Sequence, residues 1–406
     1  MRAKIKSILF ASATLLFAVC LLIIPTETVE ASKRGIDIWA SSVFPSLLPF
    51  FVTGELLISF GVVHFIGVLL EPVMRPLFNV PGIGGFVWAI GLSSGYPAGA
   101  NFTARMRQEG YISRIEAERL VAFTNASNPI FIIAVVAVSF LNEPRLGLLL
   151  ATVHYGSNLC VGIIMRFYQQ NDEHVRYADN SGNIFKKAFN TLHDTRLKQH
   201  KPFGKLLGDA VVKSIESALM IGGFILIFSV VSTILIETNL LVWVSELAKG
   251  IFTLIRLPDI LALPFSVGIV EITLGIKQIA QFINHPLIVK TLLISILLAF
   301  NGLSVHAQVA SILADTDIRY KAYLFGRFIQ IGFATILVIL IFPLINLTSD
   351  LPIGEAVPVL NIISNHFWQF VVHVLANYGA LITILGLWTY LIIKIYRQLT
   401  VKRESQ

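Results

Sequence analysis

Long apolar runs separated by short polar stretches recur along almost the whole chain. Most runs are about 20 residues long, which is the length that an α-helix needs to cross a bilayer. They are rich in leucine, isoleucine, phenylalanine and valine, and they lack the strict alternation of a β-barrel strand. The pattern predicts an all-α polytopic membrane protein. The predicted membrane segments are residues 8–24, 43–63, 82–100, 120–140, 145–167, 214–237, 259–276, 288–313, 322–347 and 379–394.

The composition supports a membrane protein. Hydrophobic residues make up 55% of the chain and charged residues only 14%, whereas a soluble domain carries about 25% charged residues. The net charge of +7 does not indicate nucleic-acid binding, because the basic residues concentrate in short loops between apolar runs. The first apolar run, 8–24, is longer than the signal-peptide core of about 7–15 residues. We therefore expect residues 1–35 to hold an uncleaved N-terminal transmembrane helix.

The basic residues also predict the orientation of the chain. They cluster at the N-terminus, in the stretch 166–213 and in the C-terminal tail, and cytoplasmic loops carry such an excess. We expect an integral, multi-pass cell-membrane protein with both termini in the cytoplasm. Residues 169–213 are interpreted as a basic, flexible cytoplasmic loop. Residues 348–406 are interpreted as a C-terminal segment with one transmembrane helix.

Two parts of the chain resemble each other. The stretch AFTNAS begins at Ala122 and AFNGLS begins at Ala299, 177 positions later. At the same spacing, GLSSGYPAGA corresponds to GIVEITLGIK. We interpret residues 36–168 and 214–347 as two membrane repeats, each crossing the membrane an odd number of times. Two such repeats have inverted topology, as in many secondary transporters, and segment 82–100 then has to be a re-entrant helical hairpin.

Polar clusters inside the apolar segments are the candidate substrate-binding residues. Glycine and a Tyr-Pro pair favour a broken helix, although small residues also favour close helix packing. Asn128 followed by Pro129 is typical of an N-cap and the first helical residue. A helix that begins inside the protein points free N–H groups at an anion. The candidates are Ser93, Ser94, Gly95, Tyr96, Asn125, Ser127, Asn128, Asn301, Ser304 and Gln308.

Glu271 is a lone acid in an apolar segment, where an ionisable group is costly. We predict that it carries a proton or binds a coupling ion; the alternative is a structural carboxylate paired with a neighbour such as Lys277. His154 and Asn158 lie one helical turn apart, and such a pair more often joins helices than binds a ligand. We find no nucleophile with a positioned base, P-loop or metal-ligand spacing. We therefore predict no catalytic residue, no cofactor and no metal site, and a protein that is not an enzyme.

Several stretches resemble the YlbJ family of sporulation integral membrane proteins of Bacillus-type spore formers. They are FPSLLPFF, GVLLEPVMRPLFNVPGIGGFVWAIGLSSGYPAGA, RIEAERL and FTNASNPIFI. The resemblance covers the whole chain. It implies paired Gate, or nucleoside-recognition-like, domains similar to the core of concentrative nucleoside carriers. That name rests on a shared fold, so the function has to be argued from the site itself.

The resemblance also implies a role late in sporulation. The expected function is a secondary transporter that exports dipicolinic acid from the mother cell across the outer forespore membrane. Helix termini with Asn, Ser and Tyr donors suit a small planar dianion. The expected partners are therefore the lipid bilayer and dipicolinate, and a homo-oligomer stays open. The alternatives are a carrier of nucleosides or other small metabolites, and a non-transporting scaffold that supports cortex formation.

Overall fold

The structure is a computed structural model that describes residues 2–169, 184–198 and 201–346. Within this part of the chain every regular element is helical. The first eight α-helices are α1 (Arg2–Ile23), α2 (Pro25–Ile38), α3 (Phe44–Ser59), α4 (Val62–Phe78), α5 (Ile83–Ser94), α6 (Ala98–Gln108), α7 (Arg114–Thr124) and α8 (Arg145–Met165). The remaining eight are α9 (Ile184–Lys198), α10 (Phe203–Glu237), α11 (Leu240–Leu254), α12 (Ala262–Val270), α13 (Ile272–Gln281), α14 (Leu287–Phe300), α15 (Gly302–Ala314) and α16 (Tyr320–Asn346).

The prediction of an all-α polytopic membrane protein is confirmed. Four helical stretches among the described residues are long and apolar enough to cross a bilayer, and the number rises to six if each of two bent pairs is one span. The first bent pair joins α1 to α2 at 102°, and the second joins α3 to α4 at 83°. The predicted segments 8–24 and 43–63 each correspond to the first arm of such a pair.

Predicted segment 288–313 is broken at Asn301, and two further predicted segments are interrupted. Segment 120–140 consists of α7, a non-helical stretch at 125–128, and a π-helical stretch, Phe131–Phe140. Segment 259–276 is not a continuous helix, because the chain breaks at Glu271 between α12 and α13. Both breaks fall at polar residues, which disrupt a helix where their side chains bond to nearby backbone.

The first hairpin consists of α5 and α6, which meet at residues 95–97. Its second arm ends at Gln108, eight residues beyond the predicted segment 82–100. The hairpin packs against the end of α7 so closely that a Cβ on Gly99 would lie 2.2 Å from the carbonyl oxygen of Thr124. Glycine is therefore required by close backbone approach, as well as by the turn at Gly95, where φ is +89°.

The second hairpin, α12 and α13, follows the same plan. A Cβ on Gly275 would lie 2.1 Å from the Cα of Gly268 in the other arm. Next along the chain, α14 and α15 form a helix that is broken at Asn301, where φ is +79°. Each of the two stretches interpreted as repeats thus contains a hairpin followed by a broken helix.

The two broken helices run in opposite directions. The start of α7 and the residues after α15 lie together, because Arg319 binds Glu118 and Arg107 binds Asp317. We call this the Arg319 end of the protein. Both arms of the first hairpin reach this end. The backbone carbonyl of Asn79, just before α5, accepts a hydrogen bond from Arg119, and Arg107 belongs to the last turn of α6. Opposite directions are what inverted repeats require.

Part of the stretch interpreted as a flexible loop is helical. Helix α9 packs on α4, with the rings of Phe65 and Phe189 5.0 Å apart, and α10 begins at Phe203, eleven residues before the predicted segment 214–237. An amphipathic helix can lie on a membrane surface with its apolar face buried. The many polar residues of such a helix make its sequence resemble that of a loop. The predicted C-terminal helix, 379–394, lies outside the described residues.

Candidate substrate site

The two helix breaks meet at one tyrosine. The side-chain amide of Asn125 donates to the Tyr323 hydroxyl at 3.3 Å, and the side-chain amide of Asn301 lies 3.0 Å from the same oxygen. All three residues are fully buried. Tyr323 belongs to α16, so this helix joins the centres of both halves. A buried polar group is costly unless it is bonded, and this arrangement bonds both amides at once.

Helix α8 supports the break at 125–128. The Ser127 backbone N–H donates to His154 Nε2 at 3.0 Å, and the Tyr155 hydroxyl donates to the Ser127 carbonyl at 2.9 Å. His154 therefore carries its proton on Nδ1. These bonds satisfy backbone groups that no helix pairs. The pair His154 and Asn158 thus serves here as interhelical contact, the more common of its two roles.

Asn128 is the helix cap that its sequence context predicts. Its Oδ1 accepts from the Phe131 N–H at 2.7 Å, and its Nδ2 donates to the Ser94 carbonyl at 3.2 Å. The tip of the first hairpin is thereby fixed to the break of the following helix. A Cβ on Gly95 would lie 3.2 Å from the Asn128 backbone nitrogen, which confirms how closely the two breaks pack.

Glu271 caps the second hairpin arm. Its Oε2 accepts from the Leu274 N–H at 2.8 Å at the start of α13, where a negative charge is favoured by the helix dipole. No ion pair within 4 Å joins Glu271 to Lys277 among the described residues. The N-terminus of α13, which could otherwise bind a substrate anion, therefore already binds the Glu271 carboxylate.

Arg327 lies behind the two breaks, in the interior of α16. It is fully buried, and it donates to the carbonyl oxygens of Ala122 and Asn125 and to the side chains of Asn158 and Gln330. The Asn301 amide can turn its oxygen towards Arg327 at 3.3 Å. Among the described residues no carboxylate forms an ion pair with this guanidinium, and its Nε has no hydrogen-bond partner.

A cavity of about 540 Å³ lies between the two hairpin tips. From the breaks it follows the π-helical stretch to Phe140, and this stretch leads away from the Arg319 end. The polar wall consists of Arg34, Asp37, Ser94, Tyr96, Ser127, Asn128, Ser229, Glu271, Thr273, Lys277, Ser304 and Gln308. The Ser94 hydroxyl is buried without a hydrogen-bond partner in the described structure. A volume of this size accommodates a small metabolite.

The structure brings most of the candidate residues to this cavity. Those that line it are Ser94, Gly95, Tyr96, Ser127, Asn128, Glu271, Ser304 and Gln308. Asn125 and Asn301 lie behind the wall, on Tyr323. Ser93 is exposed, and its hydroxyl bonds to the Ala89 carbonyl of its own helix.

The Arg319 end is closed by arginine–carboxylate pairs between the halves. The buried Glu118 accepts two bonds of 2.8 Å from Arg319 and one of 3.1 Å from the Tyr168 hydroxyl. Arg107 binds Asp317 through two bonds, of 2.8 and 2.7 Å. The hydrogen bonds of Arg107 hold the pKa of Asp317 below its ordinary value, and those of Glu118 raise the pKa of Arg319.

The sequence interpretation overlooked Tyr323 and Arg327. A charged residue within the predicted segment 322–347 was the available signal, because such a residue is costly in a membrane and indicates function. It also overlooked two charged residues of the cavity wall, Arg34 and Asp37, and the role of Glu271 as a helix cap. These side chains come together only through contacts between segments that are distant in the sequence.

The fold and cavity define a class: an integral membrane protein with helical hairpins and broken helices around a central cavity. The family model described as Gate, nucleoside recognition, matches residues 40–144. The chain is 45% identical, over 403 residues and 97% of each sequence, to the sporulation integral membrane protein YlbJ of Bacillus subtilis (strain 168). No solved structure matches. The chain belongs to the YlbJ family of sporulation integral membrane proteins.

Proposed function

We propose that this protein is a secondary transporter that moves dipicolinate out of the mother cell across the outer forespore membrane. The observation that carries the proposal is the largely apolar cavity, with polar groups at two hairpin tips, that lies beside two broken helices of opposite direction. Substrate sites of secondary transporters lie at such repeat interfaces, on discontinuous helices. Membership of a sporulation membrane family supports the cellular setting.

The chemistry of the wall favours a small anion with several acceptors. Ser94 offers an unpartnered hydroxyl, and Tyr96 offers an aromatic face beside it. Arg34 and Lys277 add two cations. Dipicolinate is a planar aromatic dianion, so an aromatic face, hydroxyl donors and cations can all act on it.

In this proposal Glu271 couples substrate transport to the movement of a proton or a cation. A permanent carboxylate beside a dianion is repulsive, and the repulsion is relieved when Glu271 binds a proton or a cation. Binding of that ion and of the substrate is then mutually favourable. The capping bond to the Leu274 N–H persists in either form of the side chain, since it needs only an acceptor oxygen.

The arginine–carboxylate pairs at the Arg319 end are the closed gate of this transporter. They join the first half, through Arg107 and Glu118, to the loop before α16. The basic regions predict that this end faces the cytoplasm, so export begins with their separation. A motion of one repeat against the other is the general mechanism of such proteins.

Dipicolinate content of spores tests the proposal. We expect Asn128→Ala, which removes the cap of the π-helical stretch and its bond to Ser94, to lower spore dipicolinate at an unchanged protein level. Ser93→Ala is the control, because that hydroxyl bonds only within its own helix. Normal dipicolinate in Asn128→Ala spores would contradict a carrier and favour a scaffold.

A further inference from the structure

We propose that Arg327 sets the sign of the electrostatic potential in the cavity and thereby makes the cavity selective for anions. This inference rests on the proposed transport function for its biological meaning. Its physical content, a cavity made positive by one buried guanidinium, can be tested without any substrate.

The charges of the cavity wall are balanced. The charged residues that line the cavity are two cations, Arg34 and Lys277, and two carboxylates, Asp37 and Glu271. If all four are ionised, their charges cancel. The guanidinium of Arg327 adds one positive charge behind the wall, and it donates to the Asn125 carbonyl in the same break that brings Ser127 and Asn128 to the cavity. Arg34 also lies 4.0 Å from Glu30, whereas no described carboxylate pairs with Arg327, so Arg327 contributes an uncompensated positive charge behind the wall.

Arg327 has no counter-charge among the described residues. Arg327 is fully buried, and its partners among the described residues are neutral: carbonyl oxygens, amide oxygens and the ring of Tyr323 at 5.2 Å. Neutral dipoles orient a cation but leave its charge in place. A charge in a protein interior of low dielectric constant acts over a longer distance than in water.

Several hydrogen-bond donors around Arg327 have no partner in the described structure. Buried side-chain nitrogens without a partner in the described structure include Arg327 Nε, Asn158 Nδ2 and the protonated His154 Nδ1. Unsatisfied buried groups of this kind often mark functional sites. Donors that surround a cation stabilise an anion more than a neutral ligand.

Arg327 also binds the carbonyl oxygens at the end of α7, and a helix C-terminus favours a cation. A purely structural cap would contribute stability without affecting the cavity potential. Arg327→Lys keeps the charge, and Arg327→Gln removes it. Asn158→Asp introduces a carboxylate at a position that now lies 3.3 Å from the guanidinium. This substitution neutralises the charge while Arg327 itself stays in place.

A reactive cysteine measures the potential directly. Ile225 lines the cavity, is partly exposed and belongs to no part of the proposed binding set. We would place Ile225→Cys in full-length protein in which Cys20 and Cys160 are replaced by serine. The probes are methanethiosulfonates of similar size, one bearing a sulfonate and the other a trimethylammonium group.

We expect the ratio of anionic to cationic reaction rates to fall at least about tenfold in Arg327→Gln and in Asn158→Asp, because one buried charge acts on both probes in opposite senses. Arg327→Lys should keep the ratio within about threefold of the parent value. An unchanged ratio in folded Asn158→Asp, with thermal stability as the folding check, would overturn the inference and leave Arg327 a helix cap.

A second measurement connects the potential to the ligand. Binding of pyridine-2,6-dicarboxylate, pyridine-2-carboxylate and neutral pyridine-2,6-dicarboxamide would be compared in the parent protein and in Asn158→Asp. We expect the loss of affinity to be largest for the dianion and absent for the diamide. Equal losses for all three would contradict charge selection by Arg327. If the parent binds none of them while the rate ratio falls as expected, the dipicolinate assignment fails and the anion-selective cavity stands.

Discussion

Asn125 and Asn301, which lie 176 positions apart in the two repeats, both contact the hydroxyl of Tyr323, at 3.3 and 3.0 Å. Each asparagine directly follows the first part of a broken helix. The two halves are therefore joined at their corresponding breaks by a single side chain of α16. A shared hydroxyl of this kind makes the geometry of one break dependent on the other.

This link predicts that Tyr323→Phe destabilises the protein. Removal of the hydroxyl leaves two buried amides without their shared partner, which costs about 1–3 kcal/mol. The measurement is the thermal midpoint of the purified protein in detergent. The control is Tyr111→Phe, which changes a partly buried tyrosine outside this cluster. A midpoint for Tyr323→Phe equal to that of the control would contradict the link.

Close packing of the first hairpin predicts a severe effect of Gly99→Ala. The new methyl group would lie 2.2 Å from the Thr124 carbonyl oxygen, and backbone cannot move aside as a flexible side chain can. We expect a loss of about 1–3 kcal/mol or more from overpacking. Gly223→Ala is the matched control, because nothing lies within 4 Å of the added Cβ. Thermal midpoints of equal value would show that the hairpin is not packed as described.

Two substitutions separate the roles of Glu271. Glutamine keeps an oxygen that can accept from the Leu274 N–H, so Glu271→Gln should retain the stability of the parent protein. Glu271→Ala loses the cap at a cost of about 1 kcal/mol. We expect both variants to lose the response of dipicolinate flux to an imposed pH gradient. A parental response in Glu271→Gln would exclude this residue as the proton or ion carrier.

The gate at the Arg319 end should be insensitive to mild acid. Arg107 lowers the pKa of Asp317, so the contribution of this pair is present above the ordinary aspartate pKa and is lost only as the pH falls through the lowered value. The rate at which a membrane-impermeant maleimide labels Ile312→Cys from the Arg319 end, divided by its rate with a free thiol at the same pH, should therefore not change between about pH 8 and about pH 5.

Asp317→Asn should increase that labelling at every pH, because the amide cannot replace the charge that Arg107 binds. Asp259→Asn is the control, since Asp259 is exposed and bonds Thr253 within its own region. Labelling that rises in mild acid in the parent, or stays at the parental level in Asp317→Asn, would contradict the gate.

The sequence predicted the helical class, the broken helix around Gly95 and the helix start after Asn128. These features depend on local signals: apolar runs, glycine and proline, and the Asn128–Pro129 cap. The breaks at Glu271 and Asn301 were missed because segments 259–276 and 288–313 were interpreted as continuous. The exact arms of the hairpins were missed, because apolar residues continue through a break without any change in period. Helix α9 was missed since its polar composition resembles that of a loop.

The centre of the site could not be predicted from local signals. Tyr323 and Arg327 reach it from α16, about 200 positions beyond Asn125. Their partners include backbone carbonyl oxygens, which exist at every residue and leave no mark in a sequence. Only the charge of Arg327 within the apolar segment 322–347 indicated the centre of the site, and that segment was interpreted as an ordinary transmembrane span.

The most direct test of the account is dipicolinate flux into or out of liposomes that contain the purified protein. The matched pair is Ser94→Ala, which removes a buried hydroxyl of the cavity wall, and Ser93→Ala, which removes its exposed neighbour. The account predicts saturable flux for the parent and for Ser93→Ala, and a marked loss for Ser94→Ala. Flux no greater than that of empty vesicles, from folded protein with gradients imposed in both directions, would contradict it.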